Sequence, residues 1–235
     1  MFNSNWLALF FTFFIAIAWL RFMDFLAHRG LINSLLSRKL IHIGTGPIFV
    51  LSWLLFPDDG NSRFYAALVP FGITIQFFLV GMGFIKDQAS VEAMSRTGNP
   101  RELLRGPLFY GISFIALTIL YWRDNPIGMT ALMLLCGGDG LADVLGNRFG
   151  KKRLPWSGDK TWVGSFFMFF GGWIMTLAIL FTYIYIGALP GDFIKIIISV
   201  TLIALGGMIV ESLPFKDVDN ISVPITAVIL GQLLF

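Results

Sequence analysis

The sequence predicts an all-α fold, a polytopic transmembrane helical bundle of about eight spans with both termini outside and the long loops in the cytoplasm. Hydrophobic residues make up 56% of the 235 positions, and charged residues make up only 13%, about half their share in an ordinary soluble domain. Apolar runs recur along the whole chain, and 25 residues are Phe. This composition excludes a soluble domain, a disordered chain and, despite the net charge of +3, a nucleic-acid-binding protein.

We expect one integral membrane domain over residues 1–235, because no polar stretch is long enough for a separate soluble domain. The predicted spans lie near 5–20, 41–56, 64–85, 106–122, 126–145, 162–186, 192–210 and 222–235. Seven or nine spans are the alternatives, because several runs are shorter than the roughly 20 residues that cross a bilayer core.

The first span has the length of a signal-peptide core, but no Lys or Arg precedes it, so we expect it to be retained. Residues 1–34 would then hold this span and an amphipathic helix in the membrane interface, ahead of a larger region over 35–235. Apolar residues at helical spacing predict that interfacial helix; they are Leu31, Ile32, Leu35 and Leu36.

The basic residues predict the orientation of the bundle. Four intervals that would share one side hold 14 of the 17 Lys and Arg residues; they are 21–40, 86–105, 137–161 and 211–221. The positive-inside rule places this side in the cytoplasm.

A first polar group lies where the second span leaves the cytoplasm. Arg38 and His42 are four residues apart and would share a helix face with Lys39 nearby. The two cations are suited to phosphate groups, and His42 is suited to orient a substrate or transfer a proton. The alternative is that the cations reach lipid headgroups while His42 packs against a neighbouring helix.

A second polar group begins inside the fifth span. The apolar run 127–136 covers only half a bilayer, so the helix must continue through Gly137 and Gly138 and carry Asp139 and Asp143 into the membrane. Carboxylates there are usually functional, and two of them at i, i+4 spacing suit Mg²⁺. The alternative is that Asp139 caps a helix and Asp143 is solvated.

Basic residues and glycines follow these carboxylates. The cations are Arg148, Lys151, Lys152, Arg153 and Lys160, and the glycines of the segment are Gly138, Gly140, Gly146 and Gly150. Glycines allow close approach to an anion, and the set as a whole is suited to a nucleoside triphosphate. No Walker P-loop pattern occurs. The alternative is a basic cluster that contacts lipid headgroups.

A third polar group, near the seventh and eighth spans, contains Glu211, Lys216, Asp217, Asp219 and Asn220. A further metal ligand or a base for a substrate hydroxyl is the functional interpretation, and a plain cytoplasmic turn is the alternative. A fourth group alternates in charge and is interpreted as a solvated loop without chemistry; it comprises Glu92, Arg96, Arg101, Glu102 and Arg105.

These groups resemble, in this order, the motifs of the phytol kinase and dolichol kinase family of membrane prenol kinases, which is distantly similar to CDP-diacylglycerol synthases. The matching strings are RKLIHIGTG at 38–46, GDGLADVLGNRFGKKRLPW and KTWVGS within 138–165, and ESLPFKDVDNISVP at 211–224. Val163 stands where dolichol-kinase-like members tend to carry Glu, which favours the phytol-type branch. The His-Gly-Gly and Asp-Arg signature of the cytidylyltransferases is absent from the sequence.

The resemblance implies that Asp139 and Asp143 bind Mg²⁺ and nucleotide and that Lys151, Lys152 and Lys160 hold phosphates. The rest of the implied site is Arg38, Lys39, His42, Glu211, Asp219 and Asn220. It also implies CTP, more than ATP, as the donor. The base is left open among Asp143, Glu211 and His42.

We therefore expect a kinase that transfers the terminal phosphate of a nucleoside triphosphate from the cytoplasm to a prenyl alcohol in the bilayer, such as phytol or geranylgeraniol. The alternatives are a phosphatidate-cytidylyltransferase-like enzyme and a transporter or lipid flippase, although no internal repeat supports a carrier. The expected location is the cell inner membrane or a thylakoid or other organelle membrane, with the active site on the cytoplasmic side.

Overall fold

A computed structural model describes residues 1–95, 97–214 and 218–235. The α-helices of these ranges are α1 (Asn5–His28), α2 (Ser34–Ser52), α3 (Ser62–Gly81), α4 (Gln88–Met94), α5 (Gly106–Leu120), α6 (Pro126–Met133), α7 (Asp139–Phe149), α8 (Trp162–Tyr185), α9 (Phe193–Glu211) and α10 (Asp219–Leu234). Short 3-10 turns cover Trp53–Leu55 and Pro100–Leu104, and a π-helical turn covers Leu134–Gly138. Strands β1 (Arg153–Leu154) and β2 (Ser157–Thr161) pair antiparallel. The predicted all-α bundle is confirmed.

Six helical segments of the described chain are long and apolar enough to cross a membrane; they are Asn5–His28, Ser62–Gly81, Pro100–Leu120, Pro126–Phe149, Trp162–Tyr185 and Phe193–Glu211. The other two predicted spans correspond to α2, whose first half is polar, and to α10, which has only 16 residues. Large apolar side chains such as Phe14, Phe166 and Ile198 stay exposed on the long helices, as expected for lipid-facing surfaces. The chain is a polytopic membrane protein.

The most deeply buried segment runs from α6 through the π-helical turn into α7. Every residue from Ile127 to Gly138 is buried, and the helix continues through Gly137 and Gly138 as its length predicts. A Cβ added at Gly138 would lie 2.8 Å from the carbonyl oxygen of Met168 in α8. The absence of a side chain at Gly138 thus lets α8 pack closely against the π-helical turn, directly before α7 begins.

The connecting segments gather at two opposite ends of the bundle. At one end, Arg123 Nη1 donates to the carbonyl oxygen of Phe56 at 2.8 Å, and Lys195 Nζ donates to the carbonyl oxygen of Phe235 at 2.6 Å. At the other end, Arg38 Nη1 donates to the carbonyl oxygen of Ser95 at 2.7 Å. This grouping matches the predicted alternation of the loops, while the assignment of one end to the cytoplasm stays a prediction.

The separate interfacial helix expected before residue 38 is wrong. Helix α1 continues to His28, and the chain then turns at Gly30, whose φ of 70° favours glycine. Leu31 and Ile32 lie in this turn. The side-chain oxygen of Asn33 accepts a hydrogen bond from the backbone N–H of Leu36 at 2.7 Å and caps α2. The apolar spacing therefore belongs to a turn followed by the first turn of α2.

Candidate active site

Five elements bring ionisable side chains together at the end of the bundle that holds Arg38. The contributors are Arg38, Lys39 and His42 of α2, Asp139 and Asp143 of α7, Lys160 of β2, Glu211 at the end of α9 and Asp219 at the start of α10. Elements far apart in sequence thus meet at one place, as the three polar groups predict. Lys216, Asp217 and Arg96 lie outside the described residues.

Three carboxylates form a compact cluster. One oxygen from each of Asp139, Glu211 and Asp219 lies within 4.8 Å of the others. Glu211 is only 4% exposed, and among the described residues its Oε2 has no hydrogen-bond partner. A buried carboxylate oxygen without a partner is costly, and oxygen ligands of this kind are those Mg²⁺ prefers. The cluster therefore fits a divalent cation.

Lys160 bridges two of these carboxylates. Its Nζ pairs with Oε1 of Glu211 and lies 3.2 Å from Oδ2 of Asp219. Burial alone would lower the pKa of the Lys160 ammonium, but the charges of Glu211 and Asp219 outweigh burial and raise its pKa above the usual range. Lys160 is therefore cationic at neutral pH. Its positive charge offsets one of the three carboxylate charges. The remaining negative charge attracts a metal ion.

His42 joins α2 to the carboxylate cluster. Its Nε2 lies 3.4 Å from Oδ2 of Asp139 and 3.3 Å from the carbonyl oxygen of Leu135. The imidazole also packs against Tyr110, with ring centroids 4.5 Å apart, and the Tyr110 hydroxyl donates to the carbonyl oxygen of His42 at 3.1 Å. Two acceptor oxygens near Nε2 favour the tautomer that carries its hydrogen on this nitrogen.

Asp143 has different partners from Asp139. It forms an ion pair with Lys39 and accepts a hydrogen bond from the side chain of Asn147. The predicted metal pair was Asp139 with Asp143. Among the described residues, the group of carboxylates that could share an ion joins Asp139 to Glu211 and Asp219.

The glycines predicted near an anion lie where helices touch. Added Cβ atoms would lie 2.3 Å from Ile43 at Gly140, 3.0 Å from the Cα of Gly164 at Gly146, and 2.3 Å from the side chain of Thr161 at Gly150. Together with Gly138 against Met168, these positions let α7 pack closely on α2, α8 and β2. The contacts that the structure shows for these four glycines are packing contacts between neighbouring elements.

The remaining predicted residues are two exposed lysines and a partly buried amide. Lys151 and Lys152 are exposed between α7 and β1. Asn220 forms two hydrogen bonds to α5. Its side-chain Nδ2 donates to the carbonyl oxygen of Gly106 at 3.2 Å, and its backbone carbonyl oxygen accepts from the hydroxyl of Ser113 at 2.7 Å. Its Oδ1 is buried and has no partner among the described residues.

A cavity of about 840 Å³ opens onto this site. Its polar wall includes Arg38, Lys39, His42, Asp139 and Asn220, and it continues between α1, α2, α3 and α5. Tyr110, Arg101 and Arg105 also line it. The sequence does not single out these three residues as parts of a site: Tyr110 lies in no motif, and Arg101 and Arg105 belong to the group interpreted as a solvated loop, although their i, i+4 spacing is a usable signal.

Comparisons with known proteins identify plant relatives. The chain is 40% identical over 217 residues to "Probable phytol kinase, chloroplastic" of Triticum aestivum, which covers 92% of this chain and 72% of the relative. It is 36% identical to "Phytol kinase 1, chloroplastic" of Arabidopsis thaliana, over 89% of this chain and 70% of that protein. It is 35% identical to "Farnesol kinase, chloroplastic" of the same plant, over 95% and 73%. Neither a family model nor a solved structure matches the chain.

Proposed function

The chain belongs to the family of phytol and farnesol kinases, enzymes that phosphorylate an alcohol, and from this premise we propose that it transfers the terminal phosphate of CTP to a prenyl alcohol such as phytol or geranylgeraniol. One observation carries the proposal. A single cavity connects Lys39, His42 and Asp139 with apolar side chains of the membrane helices. A molecule with a hydroxyl at one end and a hydrocarbon tail fits such a cavity.

Asp139, Glu211 and Asp219 would hold Mg²⁺, because their oxygens lie within 4.8 Å of one another. Bound there, the ion supplies positive charge to the transferring phosphoryl group. Asp143, predicted as a ligand, pairs with Lys39. We assign it the role of orienting the Lys39 ammonium at the cavity wall.

His42 is our candidate for the proton acceptor. It lines the cavity beside Asp139, whereas Glu211 forms an ion pair with Lys160 and Asp143 forms an ion pair with Lys39. In the proposed step the alcohol oxygen bonds to the γ-phosphorus, the bond from that phosphorus to the bridging oxygen breaks, and CDP leaves. The hydroxyl proton passes to Nδ1 of His42. Asp139 stabilises the imidazolium that forms, since its Oδ2 lies 3.4 Å from Nε2.

The cations around the cavity would bind the phosphates of the donor. Lys39 and Arg38 line the cavity, and the exposed Lys151 and Lys152 lie beyond α7. Guanidinium and ammonium groups bind phosphate oxygens through charge-assisted hydrogen bonds. The choice of CTP over ATP is supported only by the family resemblance of the three motifs.

We further propose that this end of the bundle faces the cytoplasm, or the equivalent side of an organelle membrane. The basic residues of the intervals 21–40, 86–105 and 137–161 support this orientation. The relatives are named chloroplastic, which supports an organelle or thylakoid membrane for this chain as well.

The test uses purified protein in detergent with Mg²⁺, phytol or geranylgeraniol, and nucleotides labelled at one phosphate. A prenol kinase transfers label from γ-labelled CTP to the lipid and transfers none from α-labelled CTP. Label from the α position in a parallel assay supplied with phosphatidate, where CMP would be transferred and pyrophosphate released, would identify a cytidylyltransferase. Transfer from γ-labelled ATP in preference to CTP would overturn the donor assignment, and no labelled lipid from any donor and alcohol would favour a carrier.

A further inference from the structure

We infer that the apolar part of the cavity is the groove for the prenyl tail, and that its floor, formed by Thr12, Ser52, Val69 and Phe114, limits the length of the alcohol that is phosphorylated. This inference rests on the proposed function and adds the residues that determine specificity. All four floor residues line the cavity and are less than a tenth exposed.

Helix α2 shows how far the cavity extends. It contributes lining residues from Arg38, at the polar end, to Ser52, near its last turn. At about 1.5 Å per residue, this stretch is roughly 21 Å long. That distance exceeds half of a bilayer core of about 30 Å. From His42, where the hydroxyl would lie, to Ser52 the same rise gives roughly 15 Å, and this is the length of groove that remains for the tail.

The direction of the other helices identifies the floor. Helices α1 and α3 begin at the end of the bundle opposite the active site, and α5 runs toward that end. Each of these helices has one lining residue that lies farthest from the polar site. These residues are Thr12 on α1, Val69 on α3 and Phe114 on α5. Phe114 packs against Phe49 of α2 with ring centroids 5.6 Å apart. Tightly packed rings form a rigid stop for a tail.

The chemistry of the wall favours a hydrocarbon occupant. Between the polar end and the floor the lining includes Ala16, Phe49 and Ile73, while His42 and Asp139 lie at the mouth. Hydroxyls near the floor are already used within their own helices: Thr12 donates to the carbonyl oxygen of Ala8 at 2.8 Å, and Ser52 donates to that of Phe49 at 2.6 Å. The deep part of the groove therefore offers apolar contacts, which suit an isoprenoid tail.

Ala16→Phe tests the groove, because Ala16 lies four residues from Thr12 on the same face of α1 and a ring there fills the space above the floor. The matched control is Ala18→Phe, two residues away at an exposed position of the same helix. The assay measures kcat/KM for phytol and for the shorter farnesol with the full-length protein. One methylene in an apolar pocket can change kcat/KM by roughly 10- to 200-fold, so Ala16→Phe should lower the phytol-to-farnesol ratio at least about tenfold.

A second variant acts in the opposite direction. Phe114→Leu shortens the floor, and we expect it to raise kcat/KM for alcohols longer than phytol relative to phytol by about three- to tenfold. If Ala16→Phe fails to fold, Phe114→Leu alone tests the groove assignment. An unchanged length preference in each folded, active variant would overturn the groove assignment and leave the kinase intact. A wild-type protein that phosphorylates none of the alcohols would instead refute the proposed function.

Discussion

The Nε2 atom of His42 lies 3.4 Å from Oδ2 of Asp139, and this contact joins the first polar group of the sequence to the second. His42 comes from the first half of α2, and Asp139 is the first residue of α7. The contact places the imidazole that we propose as proton acceptor beside a carboxylate of the proposed metal cluster. Both side chains line the same cavity of about 840 Å³.

Replacing His42 with Gln should lower kcat by about 10²- to 10⁴-fold, the usual contribution of general base catalysis. The KM for nucleotide should change less than about threefold, because the phosphate-binding cations remain. Steady-state kinetics with phytol measure both values. His28→Gln is the control, since His28 is exposed at the end of α1. Equal activity of the two variants would remove His42 from the mechanism.

Removing a carboxylate from the metal cluster should raise the Mg²⁺ requirement. With Asp219→Asn, we expect half-maximal activity at a Mg²⁺ concentration at least about tenfold higher, because one charged ligand is lost. Asp124→Asn, at an exposed loop position at the opposite end of the bundle, provides the control. EDTA should abolish wild-type activity, and added Mg²⁺ should restore it. Activity that persists in EDTA would contradict the metal assignment.

Lys160→Met should destabilise the protein, because Asp139, Glu211 and Asp219 then repel one another without their cation. Breaking such a pair lowers Tm by about 5–10 °C in a chain of this size. The raised pKa of Lys160 implies that its stabilisation is fully present below its unfolded pKa of about 10.4 and is lost only as pH rises through the higher folded pKa.

Thermal unfolding from pH 6 to pH 9 checks this prediction. The Tm difference between wild type and Lys160→Met should persist at every pH in that range, because Lys160 stays cationic throughout it, and millimolar Mg²⁺ should recover part of the difference. A difference that disappears near pH 8 would mean that Lys160 is not the cation that stabilises the cluster.

The orientation can be tested with introduced thiols, because Cys136 is the sole cysteine of the sequence and is buried. A membrane-impermeant maleimide added to right-side-out vesicles should label Asp124→Cys and leave Lys152→Cys unlabelled. Inside-out vesicles should reverse the pattern. Labelling of Lys152→Cys from outside would place the active site on the opposite side of the membrane.

The sequence predicts the architecture and the meeting of the polar groups better than their pairings. An apolar run too short to span requires the helix to continue through Gly138, and the structure confirms this continuation. The partners of Asp139 depend on where α2, α9 and α10 bring His42, Glu211 and Asp219, which spacing within α7 cannot reveal. The ion pair between Asp143 and Lys39 likewise depends on the packing of α7 on α2, which the sequence spacing does not show. Tyr110 contacts His42, and such a contact leaves no pattern in the sequence.

The most direct test of the account is phosphoryl transfer from γ-labelled CTP to phytol by wild type and by Asp139→Asn, with the melting temperature of both proteins measured in parallel. We predict labelled phytyl phosphate with wild type and a loss of activity of at least about 10³-fold in the variant without a fall in Tm. Near-normal turnover by a folded Asp139→Asn protein would contradict it.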